Sequence, residues 1–129
     1  MFVPIVLSPK ARLTLQVFNL QRAALLPAAL GSSPPDPDMI YLAMQDRVHQ
    51  PYRQTLIPGL TEILQSMTPA TQPGLLGICL SGAGPTILAL ATDRFAEIAE
   101  LIISRFGSQN ISCQWKLLEP AQDGAIVDH

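Results

Sequence analysis

The chain has 129 residues, of which 48% are hydrophobic and 14% are charged, with a formal net charge of −2. This length and apolar content suit one domain with one core, and the scattered Lys and Arg argue against nucleic-acid binding. Apolar runs such as Leu75–Leu80 are far shorter than the roughly 20 residues that span a bilayer, so no membrane partner is expected. Soluble domains average about 25% charged residues. The lower value here predicts that another domain, or a second copy in a homodimer, covers part of the surface.

Phe2 begins a short apolar run, and residues 2–7 predict a first strand. Residues 13–26 predict a helix, because Val17 and Leu20 recur at helical spacing. Pro27 is expected to kink or end this helix, since proline lacks the N–H group and clashes with the preceding turn.

Two further helices are predicted in the middle of the chain. Asp36 or Asp38 caps a helix over residues 39–49, which Pro51 interrupts. A third helix opens at residues 58–59 and continues through Met67.

The last third of the chain predicts a hairpin, a helix and a strand. Residues 75–80 and 86–91 are apolar strands joined by a tight Gly-rich loop. Asp93 caps a helix that runs to about Phe106, where Gly107 provides a left-handed stop. Residues 111–118 form a final strand. This order predicts an α+β, ferredoxin-like sandwich, an antiparallel sheet with helices packed on one face.

Cys79 and Cys113 both lie in strand-like contexts. Two free thiols are favoured over a disulfide, and the N-terminus lacks the basic start and long apolar stretch of a secretory signal. We therefore expect a cytoplasmic protein.

Two segments carry the strongest functional signal. The first is the loop of Ser81, Gly82, Ala83, Gly84, Pro85 and Thr86, which by itself is typical of an ordinary hairpin turn. The second is residues 46–59, Asp-Arg-Val-His-Gln-Pro-Tyr-Arg-Gln-Thr-Leu-Ile-Pro-Gly, preceded by Asn-Leu-Gln-Arg at residues 19–22. Together they resemble the homoserine kinases of the GHMP small-molecule kinase family, especially the fungal type. The resemblance covers residues 7–118, and the Gln-Pro-Tyr-Arg segment points to homoserine kinase in particular.

The resemblance implies the domain organisation and the reaction. Residues 1–120 would be the C-terminal domain of a GHMP kinase and residues 121–129 a loose tail, with the N-terminal ATP-binding domain absent. The intact enzyme would use ATP and Mg²⁺ to convert L-homoserine to O-phospho-L-homoserine in threonine biosynthesis. We expect no catalytic residue in this chain, no ATP or Mg²⁺ binding by the chain alone, and no activity without the N-terminal domain.

The resemblance also implies individual roles. Arg53 and Arg12 would bind the carboxylate of homoserine, and the glycine-rich loop would be the family's third motif, which braces the phosphate loop of the other domain. The chemistry suits these roles, because the planar guanidinium meets a carboxylate with two parallel hydrogen bonds. The chain is shorter than most family members between Arg12 and the helix of Asn19, and it lacks their Leu-Pro pair.

Two rival functions stay open at this stage. One is a non-catalytic ferredoxin-like module that binds an amino acid or a protein partner. The other is a domain of another GHMP kinase, such as a mevalonate-type enzyme.

Three other features are assigned ordinary roles. Residues 27–33 faintly resemble the family's ATP loop, but two prolines follow at once, so a plain loop is favoured. His49 and His129 lack the spacing of metal ligands. Asp46 is interpreted as a helix-end partner for Arg53 or Arg47 rather than as a catalytic base.

Overall fold

The computed structural model describes residues 9–121. Its elements are α1 (Pro9–Leu30), α2 (Pro37–Ala43), α3 (Gln50–Arg53), a 3₁₀ turn (Gln54–Leu56), α4 (Leu60–Ser66), β1 (Leu75–Leu80), β2 (Ile87–Ala91) and α5 (Phe95–Gly107). The two strands pair in antiparallel fashion as a hairpin. The α+β class predicted from the sequence is confirmed.

One face of the hairpin packs on α4 and α5. The cluster on this face includes Ile63 and Met67 near the end of α4, Ile78 of β1 and Phe106 of α5, all buried. Burial of apolar area stabilises a fold by roughly 25 cal/mol per Å². This cluster therefore supplies much of the driving force that holds α4 and α5 to the sheet.

The other face of the hairpin packs on the end of α1 and on α2. Ala29, Ile40 and Met44 form a second buried cluster, against which Leu76 and Cys79 of β1 pack. Successive side chains of a strand point to opposite faces, so β1 is covered on both sides. The sequence predicted helices on one face of the sheet. In the structure, α1 and α2 form a second helical layer on the opposite face.

α1 continues through Pro27 to Leu30, so of the two predicted effects, a kink or an end, Pro27 does not end the helix. The carbonyl of Pro27 accepts a hydrogen bond from the N–H of Gly31 at 3.0 Å, and Ala29 in this last turn is fully buried. Proline removes one helical hydrogen bond. Packing of the final turn against α2 outweighs that loss.

α2 is shorter than predicted, because it ends at Ala43 instead of His49. Of the two candidate caps, Asp36 is the one observed: its carboxylate accepts a hydrogen bond from the N–H of Met39 at 3.0 Å. The stretch after α2 leaves the helix because Asp46 binds the amides that follow it, as described below.

The ends of α5 also differ from prediction. The helix begins after Arg94, which has a φ of 53° and forms no side-chain cap, so Asp93 is not the cap. Gly107 is the last helical residue, and the left-handed residue beyond it is Asn110, with a φ of 60°.

The strand predicted over residues 111–118 does not form, since residues 111–121 have no regular secondary structure. The N–H of Ile111 donates to the carbonyl of Phe106 at 3.0 Å, and Ile111 and Cys113 pack against the cluster under α5. These apolar side chains therefore contribute to the core without pairing in the sheet.

Some predictions fall outside the described residues. They are the first strand over residues 2–7 and, apart from Ala121, the tail over residues 121–129. Between residues 9 and 121, no helix is long and apolar enough to cross a membrane. Cys79 and Cys113 are both free thiols, as predicted.

We predict that Gly77→Ala destabilises the fold by about 1–3 kcal/mol, the usual range for overpacking a core. Gly77 is a buried residue of β1, and an added methyl group would overlap the sulfur of Met44. Urea unfolding followed by circular dichroism measures the change.

The matched control is Gly107→Ala, where the added methyl group meets nothing within 4 Å. Glycine within a helix is less favourable than alanine by roughly 0.5–1 kcal/mol, so this variant should be neutral or slightly more stable. Equal destabilisation by both substitutions would contradict the packing described for β1 and α2.

Candidate functional site

One carboxylate, that of Asp46, organises the turn between α2 and α3. Its Oδ1 accepts hydrogen bonds from the N–H groups of Val48 at 2.7 Å and His49 at 3.1 Å, and its Oδ2 accepts from the N–H of Gln50 at 2.6 Å. The first amides of a helix have no partner within the helix. Asp46 satisfies the amide of Gln50, the first residue of α3, and those of the two residues before it, and it thereby helps to fix where this helix begins.

Asn19 holds the same turn from α1. Its Nδ2 donates to Oδ1 of Asp46 at 2.5 Å, and its Oδ1 accepts from the N–H of Arg47 at 2.9 Å. One amide side chain thus contacts both a side chain and the backbone of the turn. This contact explains why the Asn-Leu-Gln-Arg segment and the segment over residues 46–59 belong to one structural unit.

The pKa of Asp46 lies below its ordinary value. Partial burial alone would raise this pKa, but the hydrogen bonds from the Asn19 side chain and from the capped amides stabilise the ionised form and outweigh burial. The hydrogen bonds therefore favour the ionised form of the carboxylate, and its partners here are backbone amides and Asn19.

Gln50 joins α3 to the end of β1. Its Oε1 accepts a hydrogen bond from the N–H of Leu80 at 2.7 Å. Leu80 pairs with Ile87 across the hairpin, and the next amide, that of Ser81, donates to the carbonyl of Thr86 at 2.8 Å. Amides along a strand alternate in direction, so the N–H of Leu80 points away from β2. Gln50 therefore occupies a hydrogen-bonding position on the outer edge of β1, directly before the glycine-rich loop.

The glycine-rich loop is a tight turn whose form favours glycine. The N–H of Gly84 donates to the carbonyl of Ser81 at 3.0 Å, and Gly84 has a φ of 77°. A Cβ atom at Gly84 would also approach the Leu80 side chain to 2.8 Å. The backbone angle thus favours glycine, and any side chain at this position would also have to displace that of Leu80. Apart from Gly84, the residues from Ser81 to Thr86 are exposed, so the loop presents its backbone at the surface.

Arg53 lies in the last turn of α3 and is partly buried. Its N–H donates to the carbonyl of His49 at 3.2 Å, so its backbone belongs to the turn that Asp46 begins. Residues three apart on a helix lie on the same side. Arg53 therefore neighbours Gln50, and the hydrogen bond from Leu80 to Gln50 brings the helix of Arg53 to the end of β1 from which the loop starts.

Arg12 lies in the first turn of α1 and is exposed. Because α1 is continuous, Arg12 is on the same side of the helix as Asn19 and about 10 Å away along the axis. Contacts from α1 to the turn before α3 are made by Asn19 and by Phe18, whose ring centroid lies 3.9 Å from the guanidinium of Arg47. The assignment of Arg12 as a second carboxylate ligand stays a prediction.

The plain loop predicted over residues 27–33 is wrong for residues 27–30, which are the last turn of α1, and only residues 31–33 leave the helix. The hydroxyl of Ser32 donates to the carbonyl of Ala29 at 2.6 Å. His129 lies outside the described residues. His49 is exposed at the start of α3. Over the described part of the chain, no group of three or more His, Cys, Asp or Glu residues could hold a metal ion.

Two cavities lie near this region. One of about 180 Å³ is lined in part by Asp46, Gln50 and Gln54, and another of about 470 Å³ is lined in part by Gly59 and Glu62. The first is smaller than the roughly 300–1,000 Å³ of typical ligand pockets. Neither lining includes the two candidate arginines or the glycine-rich loop.

The sequence of the domain identifies its family. Residues 25–109, more than half of the chain, match the family model described as GHMP kinases C terminal. The chain belongs to the GHMP kinase C-terminal family.

Several relatives to which this chain is similar are homoserine kinases. A homoserine kinase of Saccharomyces cerevisiae is 70% identical over 112 residues, which cover 87% of this chain and 31% of that protein. A homoserine kinase of Schizosaccharomyces pombe is 57% identical over 113 residues, covering 88% of this chain and 33% of that protein. The crystal structure of homoserine kinase from Cytophaga hutchinsonii superposes with a TM-score of 0.57 at 28% identity, covering 84% of this chain and 32% of that one. The chain thus spans about a third of the length of these relatives.

We predict that Asp46→Ala lowers the free energy of unfolding by about 1.5–3 kcal/mol, the usual contribution of a hydrogen bond to a charged group. Asp46→Asn should have a smaller effect, because it retains one acceptor oxygen. Since the folded-state pKa is depressed, the contribution of the carboxylate is complete above the unfolded-state value near 3.9 and is lost as the pH falls through the folded-state pKa. The difference between the wild type and Asp46→Asn should therefore shrink below about pH 4.

Urea unfolding at a series of pH values measures this difference. Glu100→Gln, at an exposed position of α5, serves as the control and should stay within about 0.5 kcal/mol of the wild type. A difference for Asp46→Asn that grows on acidification would contradict the depressed pKa.

Proposed function

We propose that this chain is the C-terminal domain of a homoserine kinase, extending to about residue 120, and that it binds L-homoserine for phosphorylation by ATP. The observation that carries the proposal is the 2.7 Å hydrogen bond from Leu80 to Gln50, which holds the helix of Arg53 beside the glycine-rich loop. Membership of the GHMP family and the identity to homoserine kinases of two yeasts support it.

In this proposal Arg53 binds the carboxylate of homoserine, with Arg12 as a second ligand. Hydrogen bonds to charged groups contribute roughly 1.5–3 kcal/mol each. With its acid end bound at Arg53, the substrate directs its terminal hydroxyl away from the arginine and towards the end of the hairpin. Alignment of this hydroxyl with the γ-phosphate accounts for much of the catalysis in phosphoryl transfer.

The nucleotide belongs to another part of the enzyme in this proposal. ATP and Mg²⁺ are held by the region that the homoserine kinases have outside the segment shared with this chain. The glycine-rich loop suits contact with that region, because it is exposed and, at Gly84, carries no side chain. The product, O-phospho-L-homoserine, is the precursor of threonine, and the reaction takes place in the cytoplasm.

We expect a chimera to be active in which this chain replaces the matching segment of the Saccharomyces cerevisiae homoserine kinase. At 70% identity over that segment, kcat/KM for homoserine should stay within about tenfold of the parent enzyme. Release of ADP in a coupled assay and detection of phosphohomoserine by ³¹P NMR measure the reaction. A folded but inactive chimera would overturn the proposal, and a preference for mevalonate would assign the chain to another GHMP kinase.

In the same chimera, Arg53→Lys should raise the KM for homoserine about 10- to 100-fold, because lysine keeps the charge and loses the paired hydrogen bonds. The KM for ATP should change by less than about twofold. Steady-state kinetics with each substrate varied in turn give both values.

The control is Arg94→Lys, an exposed arginine in the loop before α5 whose guanidinium lies 3.7 Å from Glu97. This substitution should change neither KM. An equal rise in the KM values of homoserine and ATP for Arg53→Lys would count against a role in binding the carboxylate.

A further inference from the structure

We propose that Gln50 is a specificity-determining residue that sets the length of the hydroxy amino acid accepted as substrate. This inference rests on the function proposed above. It concerns the distance between the group that binds the acid end of the substrate and the loop beside which the hydroxyl reacts.

The helix that carries Arg53 is not held by the apolar core. α3 is a single turn of four residues, and none of them is buried. Neither apolar cluster of the described residues includes a member of α3. Its position relative to the hairpin therefore comes from polar contacts, together with its covalent link through the 3₁₀ turn to Ile57, which packs against the core.

Gln50 makes two such contacts, one through its backbone and one through its side chain. Its N–H donates to Oδ2 of Asp46 at 2.6 Å, and its Oε1 accepts from the N–H of Leu80 at 2.7 Å. Asp46 is in turn bound to Asn19 of α1. The first contact helps to fix where α3 begins, and the second fixes how far α3 lies from β1.

The contact with Leu80 lies close to both functional elements. Arg53 is three residues from Gln50 on the same side of α3, and Leu80 directly precedes Ser81, the first residue of the glycine-rich loop. A change in the reach of the Gln50 side chain therefore moves the arginine relative to the loop.

The distance between Arg53 and the glycine-rich loop determines which length of substrate fits. Homoserine has two methylene groups between its α-carbon and hydroxyl, serine has one, and 5-hydroxynorvaline has three. Sites that discriminate by one methylene group do so by only about 10- to 200-fold. Discrimination of this size requires that the two ends of the site stay at a fixed separation, which the hydrogen bond from Leu80 to Gln50 provides.

The test uses the chimera described above and measures kcat/KM for homoserine, serine and 5-hydroxynorvaline. Methionine has a side chain of similar length but no oxygen acceptor. Gln50→Met should therefore lower the kcat/KM for homoserine at least about fivefold relative to the kcat/KM for serine and relative to that for 5-hydroxynorvaline. Gln50→Glu keeps an acceptor oxygen at the same reach and should retain both ratios within about twofold. These ratios do not depend on the fraction of enzyme that is folded, so a purely structural role would leave them unchanged.

Gln65→Met is the matched control. Gln65 is an exposed residue of α4 that lines the same 180 Å³ cavity as Gln50, and its replacement should leave both ratios unaltered. If Gln50→Met does not accumulate as folded enzyme, Gln50→Asn provides the same test with a side chain one methylene group shorter. It either loses the bond or draws α3 towards β1, and in both cases the ratio of homoserine to serine falls.

Amide hydrogen exchange on the 129-residue chain provides a second measurement that needs no activity. Exchange at Leu80 should be at least about tenfold faster in Gln50→Met than in the wild type, because this amide loses its acceptor. Unchanged exchange at Leu80, or unchanged ratios in an active Gln50→Met enzyme, would overturn this inference and leave the proposed function standing. An inactive unsubstituted chimera would overturn the proposed function, and the inference with it.

Discussion

The carboxylate of Asp46 is the interaction on which the rest of the site depends. α3 is too short to be stable by itself, since isolated helices of fewer than about 12 residues are marginal in water. It also has no buried residue to anchor it. The acceptor oxygens of Asp46 supply what the core does not, by binding the N–H groups of Val48, His49 and Gln50 in a defined direction.

The two-sided hairpin provides the rigid frame to which this polar turn is attached. α1 contributes Ala29 to the buried cluster on one face and Asn19 to the turn before α3, so the same helix connects the core to the site. On the other side of the turn, Gln50 is bonded to Leu80 at the end of β1. The site is thus joined at two points to elements whose own positions are set by apolar packing.

The local pattern of the sequence was sufficient for the residues whose conformation depends on near neighbours. β1 begins and ends at the predicted residues, and the glycine-rich loop closes as a tight turn with left-handed glycines. The pattern did not predict that α1 continues past Pro27 or that residues 111–118 stay out of the sheet, because contacts with distant residues outweigh the local preference there. A buried Ala29 retains the last turn of α1, and Ile111 packs under α5 instead of joining the sheet.

By itself, the sequence determined the α+β class and the hairpin, because these follow from hydrophobic periodicity and turn chemistry, and its motifs resemble those of the GHMP kinases. It also directed attention to Arg53 and to the glycine-rich loop. Only the tertiary structure assigned the roles of Asn19 and Gln50, whose hydrogen-bond partners lie 27 and 30 residues away along the chain. The sequence around an Asn or Gln does not reveal whether its amide faces water or bonds a group far along the chain. Only the folded structure brings such an amide and its distant partner together.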